Sequence, residues 1–280
     1  MKKLLSIITA AVALLSLSAC SSTKTTNSTI SSTKNNSFSF FHDAKTNKRL
    51  YFNISQNGAG NMGVNTDINS ILLVDNGKAT VYNTGGEAST LSLGDLKGLT
   101  DSQIIEKAKT IDENIFNKNL QKNITKLQSK SFAAEAPYNQ TANLLQTIKY
   151  KVPQPQDLTV KVITDNTGNN ISSEEIVVPA TIYLEKSSIP ATLDGQTPNT
   201  TSTDYNPYEM ISYYDGTNKE SKFDFTFTST LGKNTYTIFD TKYTGYHLDN
   251  REAYLLTKSD NGSYTVLDKA SENGLSVSTK

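Results

Sequence analysis

Apolar residues in this chain recur with a period of two, in short runs broken by Asn, Asp and Gly, and that pattern commits most of the chain to β-strands. Leu50, Phe52 and Ile54 share one face of a run from Arg49 to Ile54. Ile71-Leu72-Leu73-Val74 and Ala79-Thr80-Val81-Tyr82 flank Asp75-Asn76-Gly77-Lys78. The Asn-Gly pair accepts the positive backbone angles of a tight turn, so these runs predict a hairpin. Leu158, Val160 and Val162 alternate ahead of the turn residues Asp165-Asn166-Thr167-Gly168-Asn169. Ile176, Val178, Ala180, Ile182 and Leu184 follow, and then Phe223, Phe225 and Phe227. Leu231-Gly232-Lys233-Asn234 turns into Tyr236 to Phe239, and Asp260-Asn261-Gly262 predicts a second hairpin between Tyr254–Leu256 and Tyr264–Leu267.

One stretch breaks the alternation. Ile104, Ala108, Ile111 and Ile115, continued by Phe116, Leu120, Ile124 and Leu127, recur at helical spacing. Thr100-Asp101-Ser102-Gln103 supplies a capping box, in which the Thr100 hydroxyl accepts an amide hydrogen bond and Gln103 reaches back. A helix is expected over about 101–118, with the pattern running on to 128. The fold class is therefore α+β. A sheet-plus-helix region spans 38–130, and a polar linker punctuated by Pro137, Pro153 and Pro155 spans 131–156. An all-β antiparallel region, sandwich- or barrel-like, spans 157–280. Residues 187–207, with Pro190, Pro198 and Pro207, read as a long exposed loop.

The N-terminus carries a different kind of signal. Met1-Lys2-Lys3 precedes an apolar run from Leu4 to Ala19, broken only by Ser and Thr, that is 16 residues long. A membrane-spanning helix needs about 20 such residues, so residues 1–19 read as a cleaved signal peptide. The run ends in Leu17-Ser18-Ala19-Cys20, and Cys20 is the only cysteine of the chain. This tetrapeptide resembles the lipobox of bacterial lipoprotein precursors. The resemblance implies a diacylglyceryl group on the Cys20 sulfur, cleavage before Cys20, and Leu17, Ser18 and Ala19 as the processing signal. It places the protein on the outer face of a Gram-positive cell membrane. Two acyl chains hold stably where one gives only marginal binding.

Residues 21–37 are almost entirely Ser, Thr, Asn and Lys, with Ser-Ser-Thr-Lys at 21–24 and again at 31–34. Such a stretch has no apolar area to offset its ordering entropy and is expected to remain a disordered tether after the lipidated residue 20, about 23 Å in average span. Its Ser-x-x-Lys strings match those of penicillin-binding enzymes only as low-complexity repeats, not at a buried helix start.

Composition narrows the chemistry. The 27 basic and 27 acidic residues cancel, which removes the bulk positive field that nucleic-acid binding requires. One cysteine and two histidines exclude a disulfide framework and a zinc cluster, and no cofactor or metal is expected. Gly58-Ala59-Gly60-Asn61-Met62-Gly63 spells G-x-G-x-x-G, but Val64-Asn65-Thr66-Asp67 leads into another apolar strand instead of the helix a pyrophosphate site needs. His42 and His247 lack the surrounding motifs of a triad or a metalloprotease, and both read as structural or solvent-facing. Asp165, Asn166, Asn169 and Glu174 offer oxygens suited to calcium, yet the spacing is that of a turn.

Tyr205, Tyr208, Tyr213 and Tyr214 surround Pro207 and are the candidate binding residues, because tyrosine stacks on sugars and anchors partners at low entropy cost. No catalytic residue is assigned. Leu93-Gly94-Asp95-Leu96 to Leu99-Thr100-Asp101, the Asn76-Gly77-Lys78 turn, Thr164-Asp165 with Gly168-Asn169, and Tyr243-Thr244-Gly245-Tyr246 resemble surface lipoproteins of lactic-acid bacteria. That resemblance lends no catalytic residues. The expected function is a non-catalytic, membrane-anchored extracellular lipoprotein with a wall or extracellular partner. The alternatives are a ligand-binding, adhesion or glycan-binding module and a cell-wall hydrolase.

Overall fold

The structure is a computed structural model that describes residues 36–55, 62–86, 90–129, 136–193, 206–217, 222–249 and 253–279. The signal peptide, Cys20, the tether to Asn35, Gly58–Asn61 and Tyr205 lie outside the described residues. The chain from Asn36 onward is one compact unit. Its elements, in order, are β1 (Ser37–Phe38), α1 (Phe40–Thr46), β2 (Lys48–Ser55), β3 (Asp67–Asp75), β4 (Lys78–Asn83) and β5 (Leu91–Ser92). Two helices follow, α2 (Asp101–Leu127) and α3 (Ala136–Gln146). Then come β6 (Gln156–Asp157), β7 (Thr159–Thr164), β8 (Ile171–Pro179) and α4 (Pro207–Asp215). The chain ends in β9 (Lys222–Thr230), β10 (Tyr236–Ile238), β11 (Thr241–Leu248), β12 (Ala253–Lys258), β13 (Tyr264–Thr265) and β14 (Ser276–Thr279).

The sheet closes on itself. Along the order β7-β8-β9-β11-β12-β2-β3-β4 every neighbouring pair is antiparallel, and β4 then pairs with β6, which runs on through Leu158 into β7. Eight strand positions form an up-and-down barrel in which chain neighbours are sheet neighbours. The last closure is thin, two residue pairs between Lys78 and Asp157 and between Ala79 and Gln156. Beyond it, β14 runs parallel along the remaining edge of β7.

The pairings of β2 with β12 and β4 with β6 join the two sequence regions into one sheet, so the boundary expected over 131–156 does not separate domains. That segment also contains α3. Pro137 lies in its first turn, where a missing amide costs nothing, so proline opens a helix there instead of marking a linker.

Side chains from every barrel strand fill the interior. Tyr51, Leu72, Val74, Ala79, Val81, Val160, Ile176, Val178, Phe225, Phe227, Tyr246 and Leu255 form one cluster with Phe40, Phe41 and Ala44 of α1. Phe227 stacks on Tyr246 with centroids 4.3 Å apart, and Phe40 meets Tyr51 at 5.1 Å and Phe227 edge-on at 5.7 Å. Each such side chain contributes about 1.5–3 kcal/mol through burial. A second cluster covers the outside. Leu50, Phe52, Ile54, Ile71, Tyr82, Tyr254 and Leu256 point away from the interior and bury Ile104, Ala108, Ile111 and Ile115 of α2. Both faces of β2 are therefore apolar over its middle.

Local signals are met where geometry is local. The capping box forms, with Gln103 N donating to Thr100 Oγ1 at 3.3 Å and Thr100 N to Gln103 Oε1 at 2.9 Å. Asn76 and Gly77 take φ of 52° and 80° in the β3–β4 turn. The second Asn-Gly turn forms too, at Asn261 and Gly262, but its hairpin does not. Both edges of β12 are taken by β11 and β2, so β13 pairs with β1 instead. The alternation through Ile182 and Leu184 is likewise no strand: β8 ends at Pro179, and Ile182 is exposed.

The stretch after β7 forms the turn that its residues predict. Asp165 accepts from Thr167 and Asn170 of its own turn, which holds its carboxyl down at about 2, and Glu174 is fully buried elsewhere. Glu174 accepts the backbone amide of Asp268, and Asp268 in turn accepts the amide of Phe41 at 2.8 Å at the start of α1. Glu174 Oε2 and Asp268 Oδ1 have no hydrogen-bond partner among the described residues. Burial, reinforced by the nearby Asp268 charge, pushes the Glu174 carboxyl up to about 9.

The folded state therefore keeps a proton that the unfolded chain, with a glutamate at 4.5, releases. Stability is fully present below about 4.5 and is lost as pH rises toward about 9. Urea titrations at pH 5 and pH 8 are expected to show a loss of up to about 4 kcal/mol, absent in Glu174→Gln. Identical pH slopes in the two proteins would place the buried proton elsewhere.

Candidate functional site

With the barrel interior occupied, a concave feature lies outside it, between α2 and α4. It is an open cleft of about 660 Å³. One side is a stripe of α2, where Phe116, Asn119, Asn123 and Lys126 follow the helical repeat with Lys122 beside them. The other is α4, with Asn206, Glu209, Met210, Tyr213 and Tyr214. Tyr183, Asn83 and Asp112 complete the lining.

The sequence builds α4 from a cap, a proline and a glycine. Asn206 Oδ1 accepts the Tyr208 amide at 3.0 Å, Pro207 takes the first position, and Gly216 ends the helix at φ 80°. The region read as an exposed loop around Pro207 is thus a helix. Its C-terminal carbonyl fixes the neighbouring segment of the cleft, because Tyr183 N and Leu184 N both donate to Tyr214 O at 2.9 Å. Met210, Ile211 and Tyr214 bury against Leu120, Ile124 and Leu127 of α2 and Tyr138, Ala142 and Leu145 of α3.

Aromatic rings cluster in the lining of the cleft. Phe116 stacks on Tyr183 at 4.3 Å and 29°, meets Tyr214 edge-on at 6.1 Å, and lies 5.6 Å from Tyr150. Polar atoms hold the rings in place. Asp112, nearly buried, accepts the Tyr150 hydroxyl at 2.7 Å and the Asn83 amide at 3.0 Å. Asn123 Nδ2 donates to the Tyr214 hydroxyl at 3.1 Å. Burial raises Asp112, opposed by the Tyr150 and Asn83 hydrogen bonds. Burial likewise raises the phenols of Tyr150, Tyr183 and Tyr214, so all three stay neutral over the ordinary pH range.

Of the four tyrosines singled out in the sequence, Tyr213 and Tyr214 line the cleft, Tyr214 as a buried ring and Tyr213 as an exposed one. Tyr208 packs against the apolar cluster behind α4. Phe116, Asn119, Asn123, Asp112 and Tyr183 carry as much of the site and were not singled out. On a helix of mixed polarity, Asn119 and Asn123 look like any solvated face until α4 is placed opposite them.

The two histidines do not enter the cleft. His42 is exposed, 3.8 Å from Glu272, and His247 packs on the Tyr254 ring at 4.7 Å, where burial lowers its pKa. Gly63 forms a short turn with Thr66 ahead of β3, so a strand follows the glycine-rich string. Among the described residues no group of three or more His, Cys, Asp or Glu side chains could hold a metal ion. No described helix is long and apolar enough to cross a membrane. Comparison with protein-family models, with curated proteins and with solved structures finds no match to this chain.

Proposed function

We propose that this chain is a lipid-anchored protein of a Gram-positive cell envelope. After export, residues 1–19 are removed, Cys20 carries a diacylglyceryl thioether in the outer leaflet, and residues 21–35 tether the barrel to it, the expected tether being cut short at Asn36 because Ser37 already belongs to β1. The observation that carries this reading is the position of the sole cysteine, directly after Leu17-Ser18-Ala19 at the end of the apolar run. Cys20→Ala is expected to accumulate as an uncleaved precursor that takes up no labelled fatty acid. Gel mobility and mass spectrometry of the recovered chain check this. Normal maturation and membrane retention of that variant would sink the anchor.

The folded part is a non-catalytic binding module that faces the wall or the medium, without nucleic-acid partners, and it binds through the cleft between α2 and α4. What supports this is a concave site with aromatic rings in its lining and amides along both sides. Asp112 reads as a positioning group, since each of its oxygens already accepts a hydrogen bond. A hydrolase acting on the wall would release soluble fragments from purified wall material, and this chain is expected to release none.

A further inference from the structure

We infer that the ligand of the α2/α4 cleft is a neutral oligosaccharide. This rests on reading the cleft as the ligand site and is independent of the lipid anchor. The lining of the cleft carries no net charge. Lys122 and Lys126 face the same space as Asp112 and Glu209, so the formal charges of the lining cancel. A phosphate, a polyanion or a cationic peptide would meet no net attractive field there.

Asn83, Asn119, Asn123 and Asn206 all line the cleft, with the Asn206 oxygen taken by its own helix cap and one Asn123 donor by the Tyr214 hydroxyl. A carboxamide offers both donors and an acceptor, and a sugar hydroxyl also does both, so vicinal hydroxyls and carboxamides pair without either side carrying charge. An amide-lined, charge-balanced space suits hydroxyls better than it suits carboxylates or ammonium groups, which need an unmatched counter-charge when they leave water.

Tyr213 is 44% exposed on α4, across from the Phe116–Tyr183 stack on the other side. Flat rings bury the C–H faces of pyranose rings without demanding a polar partner. The stack is held before any ligand arrives, by Asp112 through Tyr150 and by the paired amides on Tyr214 O, so little ordering cost remains at binding. A volume of about 660 Å³ is in the range of small-molecule sites and open at the top, which admits a chain longer than the site.

The test is isothermal titration of the full chain in detergent with four probes of similar length. These are chitotetraose and maltotetraose as neutral saccharides, tetragalacturonate as an anionic one, and tetra-alanine as a peptide. The variants are Asn119→Ala and Tyr213→Ala, both at exposed positions, with unchanged thermal unfolding as the check on folding. Binding of a neutral tetrasaccharide that weakens about tenfold or more in each variant is the expected result. Heat from tetragalacturonate or tetra-alanine alone, lost in the same variants, would overturn the saccharide class while leaving the cleft a ligand site. Silence with all four probes, or binding indifferent to both variants, would overturn the site itself. Shortened saccharide products would overturn the non-catalytic reading.

Discussion

Gly245→Ala is expected to destabilise the barrel by about 3–5 kcal/mol, at the upper end of what a single added methyl does. Gly245 lies on β11 opposite Leu256 of β12. A methyl built on its Cα would press into the Leu255 carbonyl oxygen and lie 2.9 Å from Leu256 Cα, and both obstacles are backbone. A clash with a flexible side-chain tip relaxes cheaply, whereas this one requires two paired strands to part. The carbonyl of Gly245 is also shared, accepting Leu231 N at 2.9 Å and Thr265 Oγ1 at 2.6 Å, so moving the strand breaks contacts with two further segments. In thermal unfolding the loss reads as a fall of about 10 °C in midpoint for a unit of this size. A variant melting within a degree or two of the parent would mean that β11 and β12 have slack the pairing does not suggest.

A loss of about 3–5 kcal/mol is expected from Asp43→Ala, through charge instead of volume. Asp43 is 1% exposed on α1, the helix that plugs the barrel. Its Oδ2 accepts Arg49 Nε and the Tyr51 hydroxyl, both at 2.8 Å, and its Oδ1 accepts Asn47 Nδ2 at 3.0 Å. Removing the carboxylate strands a largely buried guanidinium and a fully buried phenol together. The double variant Asp43→Ala/Arg49→Leu should recover part of the loss, because it removes the orphaned charge as well. Chemical denaturation of the two single variants and the double gives the coupling directly. Additive losses would show that Asp43 acts only by packing.

Much of the local structure could be read from residues alone, and the reason is that its causes are local. The Thr100–Gln103 box, the Asn76-Gly77 turn and the Phe225/Phe227 face all form as their spacing suggests. Closure was another matter. The pairing of Phe52, Asn53, Ile54 and Ser55 with Leu256, Leu255, Tyr254 and Ala253 joins segments from opposite ends of the folded sequence, and no short-range pattern encodes it. The alternation of Leu50, Phe52 and Ile54 marked one apolar face correctly, but that face lies under α2 while Tyr51, between them, points into the barrel.

The candidate site was legible only by half. Proline misled twice, since Pro137 and Pro207 lie at helix starts and the segments around them read as linker and loop. With α4 taken for a loop, Tyr213 and Tyr214 could be noticed for their chemistry but not set against Phe116 and Asn119 on a helix more than eighty residues earlier. A cleft between two helices is a property of their packing, and the packing is written in the apolar residues behind it, Ile124, Leu127, Met210 and Ile211, not in the polar ones that face the ligand.

The plug helix is held by residues from the far end of the chain. Asp268 caps its first amides, Lys45 reaches the Asn273 carbonyl, and β1 lies along β13. A polypeptide emerging from a ribosome or a translocation pore with its N-terminus first has every early strand of the ring in hand long before it owns the clasp. The fold is thus completed by its tail: a nascent chain stalled ahead of residue 268 owns the plug helix and its Asp43 contacts to Arg49 and Tyr51, but not the clasp on the start of that helix.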